Sequence, residues 1–101
     1  MKILAIEKEI GGTTKEQFTP HLKAEAQKVW EFNQSGFIRE IYFTKYSHNA
    51  VLILECIDEN EARNILDTLP LVKEKLIAFD IIPLEPYDGF ARLFEKQFDK
   101  V

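Results

Sequence analysis

Cysteine is nearly absent from this sequence, which has Cys56 alone among its 101 residues. One cysteine cannot form an internal disulfide, and it cannot supply the paired thiolates of a typical zinc site. The two histidines, His21 and His48, have no metal-ligand spacing to each other or to Cys56. Glycine-rich phosphate loops and nucleophile elbows are also missing, so we expect neither a metal nor a cofactor.

Positive charge and long apolar runs are scarce as well. Lysine and arginine total 13 against 17 acidic residues, and the resulting charge of -4 disfavours binding to nucleic acid. The longest apolar runs, at residues 50–54 and 76–79, are far shorter than the ~20 residues of a membrane-spanning helix. The apolar stretch near Met1 is too short for a signal peptide. These absences predict a cytoplasmic protein with no nucleic-acid partner and no membrane contact.

The first half of the chain is typical of a strand followed by a helix. Residues 2–7 are rich in aliphatic side chains and suit a first strand. Thr19 followed by Pro20 resembles an N-cap with proline in the first helical position. Apolar residues then recur at helical spacing, and Gly36 suits the left-handed residue that ends a helix. We therefore predict a first helix at residues 20–34.

The second half predicts a hairpin, a helix and a last strand. Residues 37–45 and 50–57 are rich in β-branched and aromatic residues and flank the polar turn at residues 46–49. Asp58 and Glu61 resemble a capping box, and Pro70 should end that helix near residue 69. Residues 76–84 suit a strand with Pro83 at an edge. The order βαββαβ predicts a ferredoxin-like α+β fold, with a four-stranded antiparallel sheet and two helices on one face.

The end of the chain carries a second apolar pattern. We expect residues 1–86 to form the domain and residues 87–101 to form an amphipathic arm. Phe90, Leu93, Phe94 and Phe98 recur with helical spacing in the arm. This stripe can pack on its own subunit or on a partner subunit, and the pattern favours neither.

Two segments resemble a known protein group. They are Leu66-Asp67-Thr68-Leu69-Pro70-Leu71 and the stretch at residues 79–87, Phe-Asp-Ile-Ile-Pro-Leu-Glu-Pro-Tyr. A Leu-Pro-Leu step into a last strand that ends with proline resembles the muconolactone isomerase-like group of the dimeric α+β barrel proteins. The resemblance implies a barrel built from two copies, with a small molecule bound between their sheets and chemistry without a cofactor. The isomerase has a glycine and a histidine at the start of its hairpin turn, whereas this chain has no glycine there and places His48 later.

Strand alternation indicates which side chains share a face. A four-residue turn would pair Lys45 with Ala50, Tyr42 with Ile53 and Glu40 with Glu55. One face of the hairpin is then apolar and should take the helices. The other face is mixed, and it consists of Glu40, Tyr42, Thr44, Val51, Ile53 and Glu55. We expect the outer strands to add Ile3, Ala5, Glu7, Asp80 and Ile82 to this mixed face.

The mixed face supplies the candidate catalytic residues. Carboxylates held close together cannot all ionise cheaply, so we expect a raised pKa at Glu40 or Glu55 and a role for one of them as a general base. Tyr42 would donate a hydrogen bond to a developing oxyanion, and His48 would be an accessory group. A register slip or simple exposure at a sheet end would instead leave both carboxylates in water.

Four further residues are candidates for ligand binding. Glu7 and Asp80 would face the same space as Glu40. Arg39 could bind a carboxylate through two parallel hydrogen bonds, although an ordinary ion pair is the alternative. His21 lies in the first turn of the predicted helix, where a neutral imidazole could donate to a ligand.

Two functions are compatible with these patterns. One is a cofactor-free isomerase that moves a proton on a small organic acid or lactone; the other is a non-catalytic ligand-binding or assembly module with a filled barrel. A cavity above roughly 300 Å³ would favour the first. In either case we expect a homodimer or a higher homo-oligomer, because an apolar sheet face seldom stays in water.

Overall fold

The computed structural model describes residues 1–94 of the chain. Its strands are β1 (Lys2–Glu9), β2 (Ile38–Phe43), β3 (Ala50–Glu55) and β4 (Ile77–Leu84), and its α-helices are α1 (Lys15–Phe18), α2 (Leu22–Ser35), α3 (Glu59–Leu66) and α4 (Pro70–Lys73). The four strands form one antiparallel sheet in the order β2-β3-β1-β4. This architecture is the predicted ferredoxin-like α+β fold.

The first helical region begins earlier than predicted. The N–H of Thr14 donates to Oε1 of Gln17 at 2.7 Å, and α1 follows at Lys15. Thr19, Pro20 and His21 form a 3-10 turn between α1 and α2. The prediction of Thr19 as the N-cap was therefore wrong, because the capping interaction of Thr14 comes first. Gly36, with φ 91°, ends α2 in the left-handed conformation, as predicted.

The second helical region is capped as predicted but is divided. The side chain of Asp58 accepts a hydrogen bond from the N–H of Glu61 at 2.8 Å, and Oε1 of Glu61 accepts from the N–H of Ile57 at 2.9 Å. The first segment, α3, ends at Leu66, and Pro70 then occupies the first turn of the short helix α4. Proline is tolerated there because its missing N–H would have no helical partner.

The core lies between the sheet and the helices. Ile3 and Ala5 of β1 and Leu52 and Leu54 of β3 are buried on the helix-facing side of the sheet. Cys56 is also buried in this core, and burial raises the pKa of its thiol. A thiol of this kind keeps its proton near neutral pH, which agrees with the predicted role as a small core residue.

The hairpin register differs from the prediction by two residues. Phe43, rather than Lys45, lies opposite Ala50, and Glu40 lies opposite Ile53. A bulge between Ile38 and Glu40 interrupts the ladder. Because side chains alternate with a period of 2, a shift of two residues keeps the predicted faces of both strands.

The predicted orientation of β1 was wrong. Ile3 and Ala5 lie opposite the helix-facing residues Leu54 and Leu52, so they face the helices. Glu7 has the same parity and lies opposite the buried Phe79 of β4. The β1 residues on the other side of the sheet are Lys2, Leu4, Ile6 and Lys8.

The segment that follows β4 is exposed where the structure describes it. Gly89–Leu93 forms a 3-10 helix, and Phe90, Leu93 and Phe94 have exposed fractions of 68%, 74% and 73%. Their side chains therefore do not pack into the domain. Phe98, the last residue of the predicted stripe, lies outside the described residues. Whether the arm packs on a partner subunit stays a prediction.

Candidate functional site

The side of the sheet opposite the helices, here called the open face, has an apolar centre. Leu4 of β1 lies between Ile53 of β3 and Ile82 of β4. In the next row, Ile6 lies between Val51 and Asp80. The apolar side chains of this face are partly or largely accessible to solvent, and they are Leu4, Ile6, Val51, Ile53, Ile82 and Leu84. A contiguous apolar surface of this kind is typical of an interaction site.

A phenol and a carboxylate occupy the β2 edge of the open face. Glu40 lies opposite Ile53, and Tyr42 lies opposite Val51. The hydroxyl of Tyr42 donates a hydrogen bond to Oε1 of Glu40 at 2.7 Å. This hydrogen bond, together with the negative charge of Glu40, raises the pKa of Tyr42. The phenol therefore keeps its proton near neutral pH and remains a hydrogen-bond donor.

An ion pair occupies the β4 edge of the same face. Nζ of Lys8 lies 2.9 Å from Oδ1 of Asp80, and both side chains are exposed. Asp80 therefore lies on the open face, as predicted. Its carboxylate already has a lysine partner, and an exposed pair of this kind contributes little to stability.

Glu55 and Glu40 do not form the predicted carboxylate pair. The amino group of Met1 donates to Oε2 of Glu55 at 2.8 Å. This hydrogen bond lowers the pKa of Glu55, so the expected raised pKa is wrong for this residue. The two carboxylates are not cross-strand neighbours, because Glu40 lies opposite Ile53 instead of Glu55.

Arg39 lies in the bulge of β2, close to Glu55. Its Nε donates to the carbonyl of Gly36 at 2.6 Å, and its positive charge contributes to the lowered pKa of Glu55. Both residues border a shallow depression of about 540 Å³ at this end of the sheet. Cys56 and Glu61 also line it. The depression brings together one predicted catalytic residue and one predicted ligand-binding residue.

Three predicted site residues lie away from the open face. Oε1 of Glu7 accepts a hydrogen bond from the N–H of Ala50 at 2.7 Å on the helix-facing side. Nε2 of His21 lies 3.9 Å from Oε1 of Glu74, within the helical layer. The ring of His48 stacks on Phe43, with ring centres 3.9 Å apart, and the side chain of Phe43 points to the side opposite Tyr42. The structure therefore does not assemble these residues with Glu40 and Tyr42.

Sequence reasoning missed Glu25 of α2. Its Oε1 accepts a hydrogen bond from the N–H of Leu71 at 2.9 Å, so it caps the start of α4 from another helix. Partial burial raises the pKa of Glu25, the Leu71 hydrogen bond opposes this effect, and the charge of Glu7 adds to it. The available signal was its spacing from Val29 and Phe32, four and seven residues further on, which pack against the core on the inner face of the helix.

Two depressions of residues 1–94 lie away from the centre of the open face. Two depressions exceed the ~300 Å³ that a drug-sized ligand requires, at about 550 and 540 Å³. Neither is centred on Leu4 and Ile53: one lies at the Arg39 end of the sheet and the other along the outer edge of β4. Volume alone therefore does not separate the two predicted functions.

The described part of the chain contains neither a candidate metal site nor a candidate membrane span. No group of three histidine, cysteine or acidic residues within residues 1–94 could hold a metal ion. Over the same residues, no helix combines the length and the apolar character needed to cross a bilayer.

Comparison with known proteins shows the fold. No protein-family profile and no curated protein matches this chain. Among solved structures, the chain is similar to 5-chloro-2-hydroxyhydroquinone dehydrochlorinase (TftG) from Burkholderia phenoliruptrix AC1100, solved in complex with 2,5-dihydroxybenzoquinone. The TM-score is 0.70 at 15% sequence identity, over 88% of this chain and 98% of that chain. The similarity therefore spans nearly the whole domain and places the chain in the ferredoxin-like fold class.

Proposed function

We propose that this protein is a cytoplasmic homodimer that binds a small organic acid, lactone or oxygenated ring compound between the open faces of its two sheets. The observation that carries the proposal is the composition of the open face. Its centre is apolar around Leu4 and Ile53, and an ordered phenol and carboxylate, Tyr42 and Glu40, lie at its edge. Apolar walls with a few polar groups are typical of small-molecule sites.

Pairing of two open faces would complete the site. The same patch on both subunits would be self-complementary in a twofold dimer, which is the commonest form of homo-oligomer. The dimer would exclude water from the apolar centre and lower the dielectric constant around Tyr42 and Glu40. Hydrogen bonds to a ligand would be stronger there than on an exposed sheet.

The proposed chemistry is a proton transfer without a cofactor, as in the resembled muconolactone isomerase-like group. The Glu40 carboxylate would accept a proton from a carbon next to a carbonyl group and return it at another carbon, so that the product is an isomer. Tyr42 would turn its single O–H from Glu40 to the developing oxyanion and donate a hydrogen bond to it. The structural neighbour was solved with a small oxygenated ring compound, which supports this class of ligand.

The remaining predicted residues have narrower proposed roles. Arg39 and Glu55 would contact polar groups of a ligand at the end of the sheet, where they border the 540 Å³ depression. Asp80 would act through its pair with Lys8. Glu7, His21 and His48 would affect ligand binding only through neighbouring residues, because they lie off the open face.

A thermal-shift screen tests ligand binding. We expect a set of small organic acids, lactones and dihydroxyquinones to include a stabilising compound, because a ligand at 100 times its dissociation constant stabilises a protein by about 2.7 kcal/mol. The shift should fall in Tyr42→Phe and in Glu40→Gln. Tyr46→Phe is the matched control, since Tyr46 is 93% exposed in the hairpin turn. An identical shift in the Tyr42→Phe and Tyr46→Phe variants would contradict the proposed site.

A non-catalytic assembly module is the second candidate. It is favoured by the position of the two depressions described above, neither of which lies over the centre of the open face. In such a module the two apolar faces would fill the barrel by themselves. A stable dimer that gives no thermal shift with any compound in the screen would support this candidate over the isomerase.

A further inference from the structure

A groove runs along the outer edge of β4, beside α3 and α4. Its volume is about 550 Å³. Leu66, Ile77 and Phe79 line it and are buried in the core, and Val72 and Ile10 add apolar surface. An apolar floor of this size can hold the body of a small organic molecule.

Three cations line the same groove, although the whole chain has a charge of -4. They are Arg63, Lys73 and Lys75, and the one carboxylate among the lining residues is Asp67. None of the three cations forms an ion pair with a carboxylate of residues 1–94. The groove therefore combines positive charge with an apolar floor.

Arg63 is held in place by the edge strand. Its Nη1 donates to the carbonyl of Phe79 at 3.2 Å, and Phe79 also lines the groove. A guanidinium group has five N–H donors, so this contact leaves others for a second acceptor. A planar guanidinium that is already oriented is well suited to bind a carboxylate through two parallel hydrogen bonds.

Lys75 stands where the backbone favours glycine. Its φ of 60° lies in the left-handed region, and the N–H of Leu76 closes the turn on the carbonyl of Leu71 at 2.9 Å. A residue with a Cβ is less stable in this conformation than glycine. Lysine at this position adds an ammonium group to the groove.

We propose that this groove binds an organic anion with an apolar body, such as an aromatic carboxylate. Arg63 would bind the carboxylate, Lys73 and Lys75 would add to the positive potential, and the floor formed by Leu66 and Phe79 would contact the apolar body. The site is distinct from the open face and does not depend on the function proposed for that face.

The end of the chain is the competing occupant. Residues 95–101 contain two acidic residues, Glu95 and Asp99, and two lysines, Lys96 and Lys100. The two acids and the two lysines cancel, so the segment has no net side-chain charge, whereas an organic carboxylate carries a negative charge that no cation of its own offsets. Charge complementarity therefore favours a small organic anion over this segment.

The test uses naphthoate and its neutral analogue naphthamide, which share one apolar body. Each is titrated into the isotope-labelled full chain, and the amide NMR signals are followed. We expect naphthoate to shift the signals of Leu66, Lys75 and Phe79, and to bind at least about tenfold more tightly than naphthamide. Equal affinity for both compounds, or shifts confined to Leu4 and Ile53 on the open face, would overturn the proposal.

Variants assign the effect to the groove cations. Arg63→Gln should weaken naphthoate by about tenfold and leave naphthamide unchanged. Lys75→Gly should weaken naphthoate by about twofold to threefold, and it should not unfold the chain because glycine suits that conformation. Lys23→Gln on α2 is the control and should leave both affinities unchanged. Binding that is seen only after residues 95–101 are removed would identify the chain end as the occupant and contradict the proposal.

Discussion

Single carboxylates in this protein differ in what surrounds them. Glu55 is exposed beside the amino group of Met1, and its pKa is lowered. Glu25 of α2 is partly buried and lies near the charge of Glu7, and its pKa is raised. The first environment stabilises the charged form and the second favours the neutral form. Glu25 therefore couples the stability of the fold to pH.

Replacement of Glu25 by glutamine should change the pH dependence of folding. The folded chain holds the Glu25 proton to a higher pH than the unfolded chain, whose ordinary value is near 4.5. Wild-type stability should therefore fall as pH rises from 4.5 through the raised pKa, and the loss should persist above it. Glutamine keeps an acceptor for the N–H of Leu71 and has no proton to lose. As pH rises from 4.5 through the raised pKa of Glu25, the free energy of unfolding of Glu25→Gln should therefore increase relative to that of the wild type.

Chemical denaturation at several pH values measures this difference. Glu25→Ala is the companion variant, since it removes the acceptor and should cost about 1 kcal/mol, as the loss of a helix cap does. A difference between wild type and Glu25→Gln that does not change with pH would contradict the assignment.

Two left-handed residues predict opposite effects of substitution. Lys75→Gly should stabilise the fold by about 1 kcal/mol, because φ is 60° at this position. Gly36→Ala should destabilise the fold by about 1 kcal/mol, because φ is 91° at this position and alanine is strained there. An added Cβ would meet only the Arg39 side chain, at 3.9 Å, so the cost should come from the backbone conformation and not from a clash. Denaturant midpoints of the two variants and the wild type would check both signs. Destabilisation by Lys75→Gly would show that the lysine side chain makes a compensating contact.

Among the elements, α3 depends on its cap. It has eight residues, which is too short for a stable isolated helix. Ala62, Ile65 and Leu66 anchor it in the core, while the carboxylate of Asp58 accepts from the N–H of Glu61. Packing and capping together therefore set the position of α3, and Arg63 on this helix reaches the edge of β4.

Removal of the Asp58 cap should weaken the fold. Asp58→Ala should cost about 1 kcal/mol, because it leaves a first-turn N–H of α3 without its acceptor. Asp58→Asn keeps an acceptor and should cost only a few tenths of a kcal/mol. Urea denaturation of both variants gives the comparison. Equal losses would indicate that the charge of Asp58 beside the helix end matters more than its hydrogen bond.

For the whole molecule, the proposed function requires a second copy on the open face. Ile53 lies at its centre, and the α-helices α1 to α4 contribute residues to the core on the other side of the sheet. Light scattering should therefore report a mass near twice the 11.8 kDa of one chain. Ile53→Lys should shift the mass toward one chain, because a lysine in each copy would place two charges within the apolar contact. Ile57→Lys, at a residue that is 79% exposed outside the sheet, is the control. An intact chain with the mass of a monomer would rule out the proposed barrel.

The arm gives a second prediction at this scale. Phe90, Leu93 and Phe94 are exposed in one chain, so we expect them to pack on the partner subunit. A chain that ends at Tyr87 should then dissociate at a higher protein concentration than the full chain, with little change in the far-UV circular dichroism of the domain. Sedimentation at several concentrations measures this change. Unchanged dimerisation would show that the arm does not brace the dimer.

The sequence by itself determined the order of the elements and the faces of the hairpin. These features depend on local rules: strand alternation, helical spacing, and caps such as Asp58 with Glu61, whose partners lie three residues apart. Gly36 and Pro70 likewise act within a few residues of their own positions. The residues that make these interactions are close together in the sequence, so the sequence pattern predicts them.

Only the tertiary structure decided which candidate residues meet. The pairing of Phe43 with Ala50 sets the register that separates Glu40 from Glu55, and the pairing of β1 with β3 directs Glu7 toward the helices. Glu25 meets the N–H of Leu71 across 46 positions of sequence. These contacts join segments that local spacing does not relate. A side chain's partner there depends on how the sheet pairs and how the helices pack, which no single segment of the sequence specifies.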